Sequence, residues 1–194
     1  MKSKTSICPL IKELERIYDF FAKKYGLNKI TKRPLITIQS KGQQKNTLGW
    51  YWKNKWQYNK QKLSEINICA ESLSKKAVET LIHEIVHYHN ASLNIPDCNA
   101  HNYHNKNFKA KAESYGLNVK TNGRYGYSHT SLSKSLQKII NTLNIDKKVF
   151  SLYRKQNITT KSITKMIKYT CDCTTVRCAT NLQAQCKRCG KDFK

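Results

Sequence analysis

Two histidines and a glutamate stand at a spacing that can do chemistry: His83-Glu84-Ile85-Val86-His87. On an α-helix, residues four apart lie on one face, one turn apart, so both imidazoles can reach a single metal ion. Imidazoles so placed suit Zn²⁺, and the Glu84 carboxylate falls beside the metal's open side, where it can take a proton from an attacking water molecule. Such a centre uses three protein ligands and keeps a fourth position open. The candidates for the third are His89, His101, His104 and His129. His89 lies about 240° round the helix from His83 and faces elsewhere. His101 and His104 both follow a loop and can turn back, and spacing does not separate them. His129 is more distant, in a stretch rich in Gly and Ser.

A second set of metal-ligating residues closes the chain. Of eight cysteines, Cys8, Cys69 and Cys98 are scattered, whereas Cys171, Cys173, Cys178, Cys186 and Cys189 crowd together at the end. A disulfide framework would spread cysteines through a short secreted chain; clustering, with no evident secretory signal, points to metal in a reducing compartment. Two close pairs, Cys171/Cys173 and Cys186/Cys189, suit a tetrahedral four-thiolate zinc site, which is structural because no position stays open. Cys178 can stand in for Cys171 or Cys173. The other three cysteines lack partners at ligand spacing and read as buried or inert thiols.

The elements that position these residues follow from periodicity. Residues 8–26 form an amphipathic helix with Leu10, Leu14, Ile17, Phe21 and Tyr25 on one side. Three strands follow: Leu35-Ile36-Thr37-Ile38, the aromatic stretch from Leu48 to Trp52 with Trp56 and Tyr58 beyond it, and Glu65-Ile66-Asn67-Ile68-Cys69. They make a small antiparallel or mixed sheet, so the fold class is α+β. At least two of the three tryptophans read as core-packing groups, and an exposed edge there could take a substrate backbone by strand addition. Ser74 reads as the N-cap of the metal-bearing helix, at about 75–93. A loop spans 94–103, with Pro96 as breaker. Helix resumes near Asn107 and ends at Gly116, residues 118–130 look irregular, and 131–143 are helical again. From residue 147 the character changes to a basic linker, 147–165, and a small cysteine domain, 166–194, leaving 8–146 as the main domain.

The stretch Thr80-Leu81-Ile82-His83-Glu84-Ile85-Val86-His87-Tyr88-His89-Asn90, with Tyr103-His104-Asn105-Lys106-Asn107-Phe108, resembles the SprT-like (Spartan-type) zinc metalloproteases. In that family the third ligand is a histidine followed four residues later by Phe at the start of the next helix, and His104 with Phe108 matches. The N-terminal helix, the Pro34–Ile38 strand, Gly49-Trp50 and Ile66-Asn67-Ile68-Cys69-Ala70 extend the likeness over most of 8–117. The resemblance implies a zincin-like protease domain and metal-assisted peptide hydrolysis. His83, His87 and His104 hold a catalytic Zn²⁺, and Glu84 serves as general base. SprT-like proteins often end in a zinc ribbon with an aromatic residue before its first cysteine, as Tyr169 is here. That likeness selects Cys171, Cys173, Cys186 and Cys189 for a structural Zn²⁺ and leaves Cys178 as a spare thiol.

Charge bounds the partners. The 194 residues hold 36 Lys and Arg against 12 Asp and Glu, a formal +24, which suits a polyanion, most plausibly nucleic acid. Residues 147–194 carry 12 Lys and Arg against two Asp, a tail fit for non-specific, salt-sensitive DNA contact. No apolar run approaches membrane-span length. The expected protein is therefore a cytoplasmic or nucleoid-associated zinc peptidase acting on proteins near DNA. Two other readings use the same residues: a non-catalytic, zinc-stabilised nucleic-acid-binding protein, and a regulatory peptidase that cleaves one partner such as a repressor.

Overall fold

A computed structural model describes residues 5–41, 47–155 and 166–194. The chain divides into two units, residues 1–156 and 157–194.

In the first unit, α1 (Cys8–Lys24) buries Leu10, Leu14, Ile17 and Phe21, the stripe its periodicity marks, and a short α2 (Leu27–Ile30) follows. Strands β1 (Leu35–Gln39), β2 (Gly49–Tyr58) and β3 (Gln61–Cys69) form a mixed sheet in the order β1-β3-β2. β1 runs parallel to β3 and β2 antiparallel to it. Alternation along the central strand sends Ile66 and Ile68 to the core and Glu65 and Asn67 to the other face. That second face is polar but closed: Gln39 Nε2 donates to Glu65 at 2.6 Å, and the Thr37 hydroxyl lies 2.6 Å from Glu65 and 3.0 Å from the Asn67 amide. One hydroxyl has one proton, which Thr37 shares between the Glu65 carboxylate and the Asn67 amide oxygen.

The helix α3 (Leu73–Ser92) packs on this sheet and buries Leu81, Ile82, Ile85 and Val86. It starts two residues before the expected 75–93. Ser74 is not its cap but an exposed residue of the first turn, and the backbone breaks helical geometry at Lys76 (φ −140°, ψ 15°). Ser72 precedes the helix, and its hydroxyl goes to the carbonyls of Leu48 (3.1 Å) and Cys69 (2.9 Å), which ties the helix start to the sheet instead of capping it.

Helix α4 (Lys106–Ser114) opens on a true cap: the Asn105 side chain accepts from the backbone N–H of Asn107 and Phe108. The stretch 118–130 is not irregular. It forms a hairpin, β4 (Leu117–Asn122) and β5 (Gly126–Leu132), and α5 (Lys134–Thr142), capped by Ser133, begins three residues later than expected. Lys120, Thr121, His129 and Ser131 face solvent and dilute the alternation on which a strand reading depends. The Asn122-Gly123 pair at its turn was the available signal.

Residues 147–155, within the expected basic linker, are structured on the first unit. A 3₁₀ turn (Val149–Ser151) packs Val149 and Phe150 on the core, and the Arg154 N–H donates to the Ala70 carbonyl at 3.0 Å. The rest of that linker, 156–165, lies outside the described residues. In the second unit, β6 (Ile167–Thr170) pairs antiparallel with β7 (Thr175–Cys178), and the backbones of Thr170 and Lys194 exchange hydrogen bonds. No helix among the described residues is long and apolar enough to cross a membrane.

Candidate metal centre

Helix α3 presents His83 and His87 on one face, and His104, at the entrance to α4, turns its ring towards them. The three Nε2 atoms form a triangle with sides of 3.1, 3.3 and 3.3 Å. A tetrahedral Zn²⁺ with bonds of about 2.0–2.1 Å needs ligand nitrogens about 3.3–3.4 Å apart, so the triangle is one face of that tetrahedron.

The outer ring nitrogens decide the protonation. His87 Nδ1 lies 2.9 Å from Asp97 Oδ2, and His104 Nδ1 lies 3.1 Å from the Asn102 carbonyl and 3.2 Å from that of Tyr125. Carboxylates and carbonyls only accept, so both Nδ1 atoms carry a proton, and in the neutral rings both Nε2 atoms carry a lone pair. Two lone pairs facing each other at 3.1 Å repel unless a cation lies between them. His83 Nδ1 meets the Thr130 hydroxyl at 3.1 Å, which can serve either tautomer. The donor set fits a zinc ion.

Burial lowers the pKa of His83 well below 6.5, with the neighbouring His87 and His104 adding to it, and puts His104 at about 4. For His87 burial works the same way, but the hydrogen-bonded Asp97, with Glu84 behind it, outweighs burial and raises the pKa. His83 and His104 are therefore neutral ligands across the physiological range. Glu84, 5% exposed, has its carboxyl pushed up to about 7, first by burial and then by Asp97, against the opposing pull of His87.

Packing holds these groups. The Phe108 ring, fully buried, lies 4.6–4.7 Å from all three imidazoles and floors the site. Gly49 at the start of β2 backs Glu84: a Cβ there would sit 2.6 Å from both the Asn67 carbonyl and Thr80 Cγ2 and 3.3 Å from Glu84 Oε1. His104 is held by the hairpin that the sequence hid. Its N–H donates to the Tyr125 carbonyl (3.0 Å), and its carbonyl accepts from Tyr127 N–H (3.1 Å). Gly126 between them has φ +62°, and a Cβ would sit 2.2 Å from that His104 carbonyl.

The other histidines lie elsewhere. His89 is buried with its Nδ1 2.7 Å from the Tyr115 hydroxyl, while His101 and His129 are exposed. Asp97 escaped sequence reasoning because a lone acid in a loop has no local pattern. It also accepts from Asn90 Nδ2 at 3.0 Å, and the Asn105 N–H donates to its backbone carbonyl. Cys98 approaches the same corner, its thiol raised to about 12 by burial and then by Asp97 and Glu84, so it stays protonated. Asp97→Ala removes the acceptor that sets the His87 tautomer. We expect zinc affinity to fall about 10- to 100-fold, read by competition with a chromophoric chelator.

In the second unit, Cys171, Cys173, Cys186 and Cys189 bring their sulfurs within 4.8 Å of one another, with Cys171–Cys173 at 3.7 Å and Cys173–Cys186 at 3.5 Å. Thiolates on a tetrahedral zinc, with bonds of about 2.3 Å, stand about 3.8 Å apart. The backbone N–H groups of Cys189 and Arg188 aim at Cys186 sulfur and bring its pKa down to about 6, ready to ligate. Cys178 lies on β7 beside Thr180, outside the group of four.

These features define an α+β protein with a three-histidine site beside a buried glutamate and a separate four-cysteine site. The SprT-like family profile matches residues 14–129, more than half of the chain and all three histidines, and the chain belongs to the SprT-like family. No curated protein and no solved structure matches it.

Proposed function

We propose that this protein is a zincin-like, zinc-dependent endopeptidase. The observation that carries the reading is the Nε2 triangle of His83, His87 and His104 with the buried Glu84 carboxylate on the same helix. When bound, zinc supplies the Lewis acidity that polarises a peptide carbonyl and acidifies water. Glu84 accepts the proton of the attacking water and passes it to the leaving amine. Its raised pKa, near 7 before a cation draws it down, matches a group that must both take and return a proton at neutral pH. Asp97 and the Tyr125 carbonyl keep His87 and His104 in the tautomers that offer Nε2. The edge of β2 nearest Glu84, Gly49–Trp52, has no strand partner among the described residues and suits an extended peptide added as a further strand.

The four-cysteine unit binds a second, structural zinc. Its Lys168, Arg177, Lys187 and Arg188 are exposed, and Lys168 and Arg177 sit opposite each other on one face of β6–β7, as phosphate contacts would require. The substrates are accordingly proteins associated with DNA, in the cytoplasm or nucleoid. Incubating the zinc-loaded chain with a DNA-bound protein, with and without DNA and chelator, should give fragments that chelator abolishes and DNA increases. A single discrete product formed equally well without DNA would favour the regulatory peptidase, and no product under any condition the non-catalytic protein.

A further inference from the structure

The β2–β3 hairpin carries a row of side chains that peptide hydrolysis does not use. Trp50, Trp52, Trp56 and Tyr58 stand opposite Asn67, Glu65, Leu63 and Gln61. Those partners alternate by two along β3, so the four aromatics share one face. Burying at least two of the tryptophans was the simpler expectation, yet Trp52 is 46% exposed, Trp56 44% and Tyr58 68%. A register shift between Trp52 and Trp56 puts Lys53 and Lys55 beside the row, and Lys55 Nζ lies 4.6 Å from the Trp52 ring centre. Lys60 and Lys62 continue the charge past the turn, and all four lysines are exposed.

Charge says what covers this face. Residues 42–64 contain no Asp or Glu. Glu65 below the row is 1% exposed and held by Thr37 and Gln39, so it does not face a ligand. Exposed rings beside lysines, on a hairpin without an acidic residue through position 64, match the two halves of a nucleotide: an unpaired base offers a flat face to stack, and its phosphate offers the negative charge. Paired bases are already stacked on each other, which excludes duplex from the rings. We infer that this hairpin face binds single-stranded nucleic acid, with bases on Trp52, Trp56 and Tyr58 and phosphates beside the lysines. The inference stands apart from peptide hydrolysis and from the basic tail.

The test exploits a coincidence of composition: the chain has three tryptophans, and all lie in this row. Titrating the zinc-loaded full chain with a short fluorescein-labelled thymidine oligonucleotide should quench tryptophan emission saturably, and rising salt should weaken the effect. Trp56→Ala and Tyr58→Ala should each weaken binding about fivefold or more, measured by anisotropy of the label. Both should leave the unfolding midpoint and cleavage of an unstructured, DNA-free protein substrate unchanged. Oligonucleotide binding that leaves tryptophan emission constant and survives both substitutions would assign nucleic acid to the tail and overturn the inference. Quenching by an unstructured peptide with none by oligonucleotide would make the face a protein-binding one, and no oligonucleotide binding at all would equally overturn it.

Discussion

Glu84→Gln should leave zinc bound, lower the rate of peptide cleavage about 10²- to 10⁴-fold, and stabilise the zinc-free protein. The amide keeps the size of the carboxyl but cannot accept the water's proton. The stability effect follows from linkage. In the unfolded chain the group ionises near its ordinary 4.5; in the zinc-free fold burial raises it to about 7. Its contribution to stability is complete below pH 4.5, declines between 4.5 and 7, and is lost above 7, where the fold must hold a buried charge. Gln never ionises, so at pH 8 the variant should gain about 3 kcal/mol, read from urea unfolding in chelator. Below pH 4.5 the difference should vanish. The parent's cleavage rate should rise with pH through the same titration, with its acid limb at or below about 7 because a cation among the histidines lowers the carboxyl. Cleavage by the variant at the parent's rate would remove Glu84 from the mechanism.

Chelation should unfold the second unit and spare the first. Among residues 166–194 only Cys186 is buried, so the described residues of that unit form no apolar core to survive on. Structural zinc contributes about 10–16 kcal/mol to comparable small sites, and its removal takes that folding energy with it. The first unit retains Leu14, Ile17, Phe21, Ile66, Leu81 and Ile85, all fully buried without help from a metal. In the chelated protein, trypsin should degrade the lysine-rich tail and leave a resistant fragment ending near residue 155. The parent should bind two zinc ions and Cys189→Ser one. A parent that binds one ion would remove one of the two sites.

Features that depend on helical spacing could be read from the chain. His83, Glu84 and His87 lie within one turn, and the apolar stripes of α1 and α3 repeat at the helical period. The cysteine pairs were legible for a similar reason, since each closes a short local loop. His104 was not separable from His101 by spacing, because the choice is made by the Tyr125 and Tyr127 backbone more than twenty residues later. Asp97 and Thr130 were invisible because their roles exist only once a loop and a strand fold back on α3. Ser74 looked like a cap because local sequence cannot show that the preceding turn is recruited by Ser72 to the sheet.

The β4–β5 hairpin is largely polar, with only Leu117 and Gly126 of its strand residues buried, and a two-stranded ribbon of that kind is marginal alone. Its alignment nevertheless sets two parts of the metal site: Gly126 under the His104 carbonyl and Thr130 against His83. A slip of one residue in β5 would turn Thr130 to the opposite face and drive a side chain into His104. Chains that pair these strands wrongly therefore cannot hold His104 beside His83 and His87. Metal uptake would thus proofread the fold: the three-histidine site is complete only in molecules whose β4–β5 hairpin has closed in register.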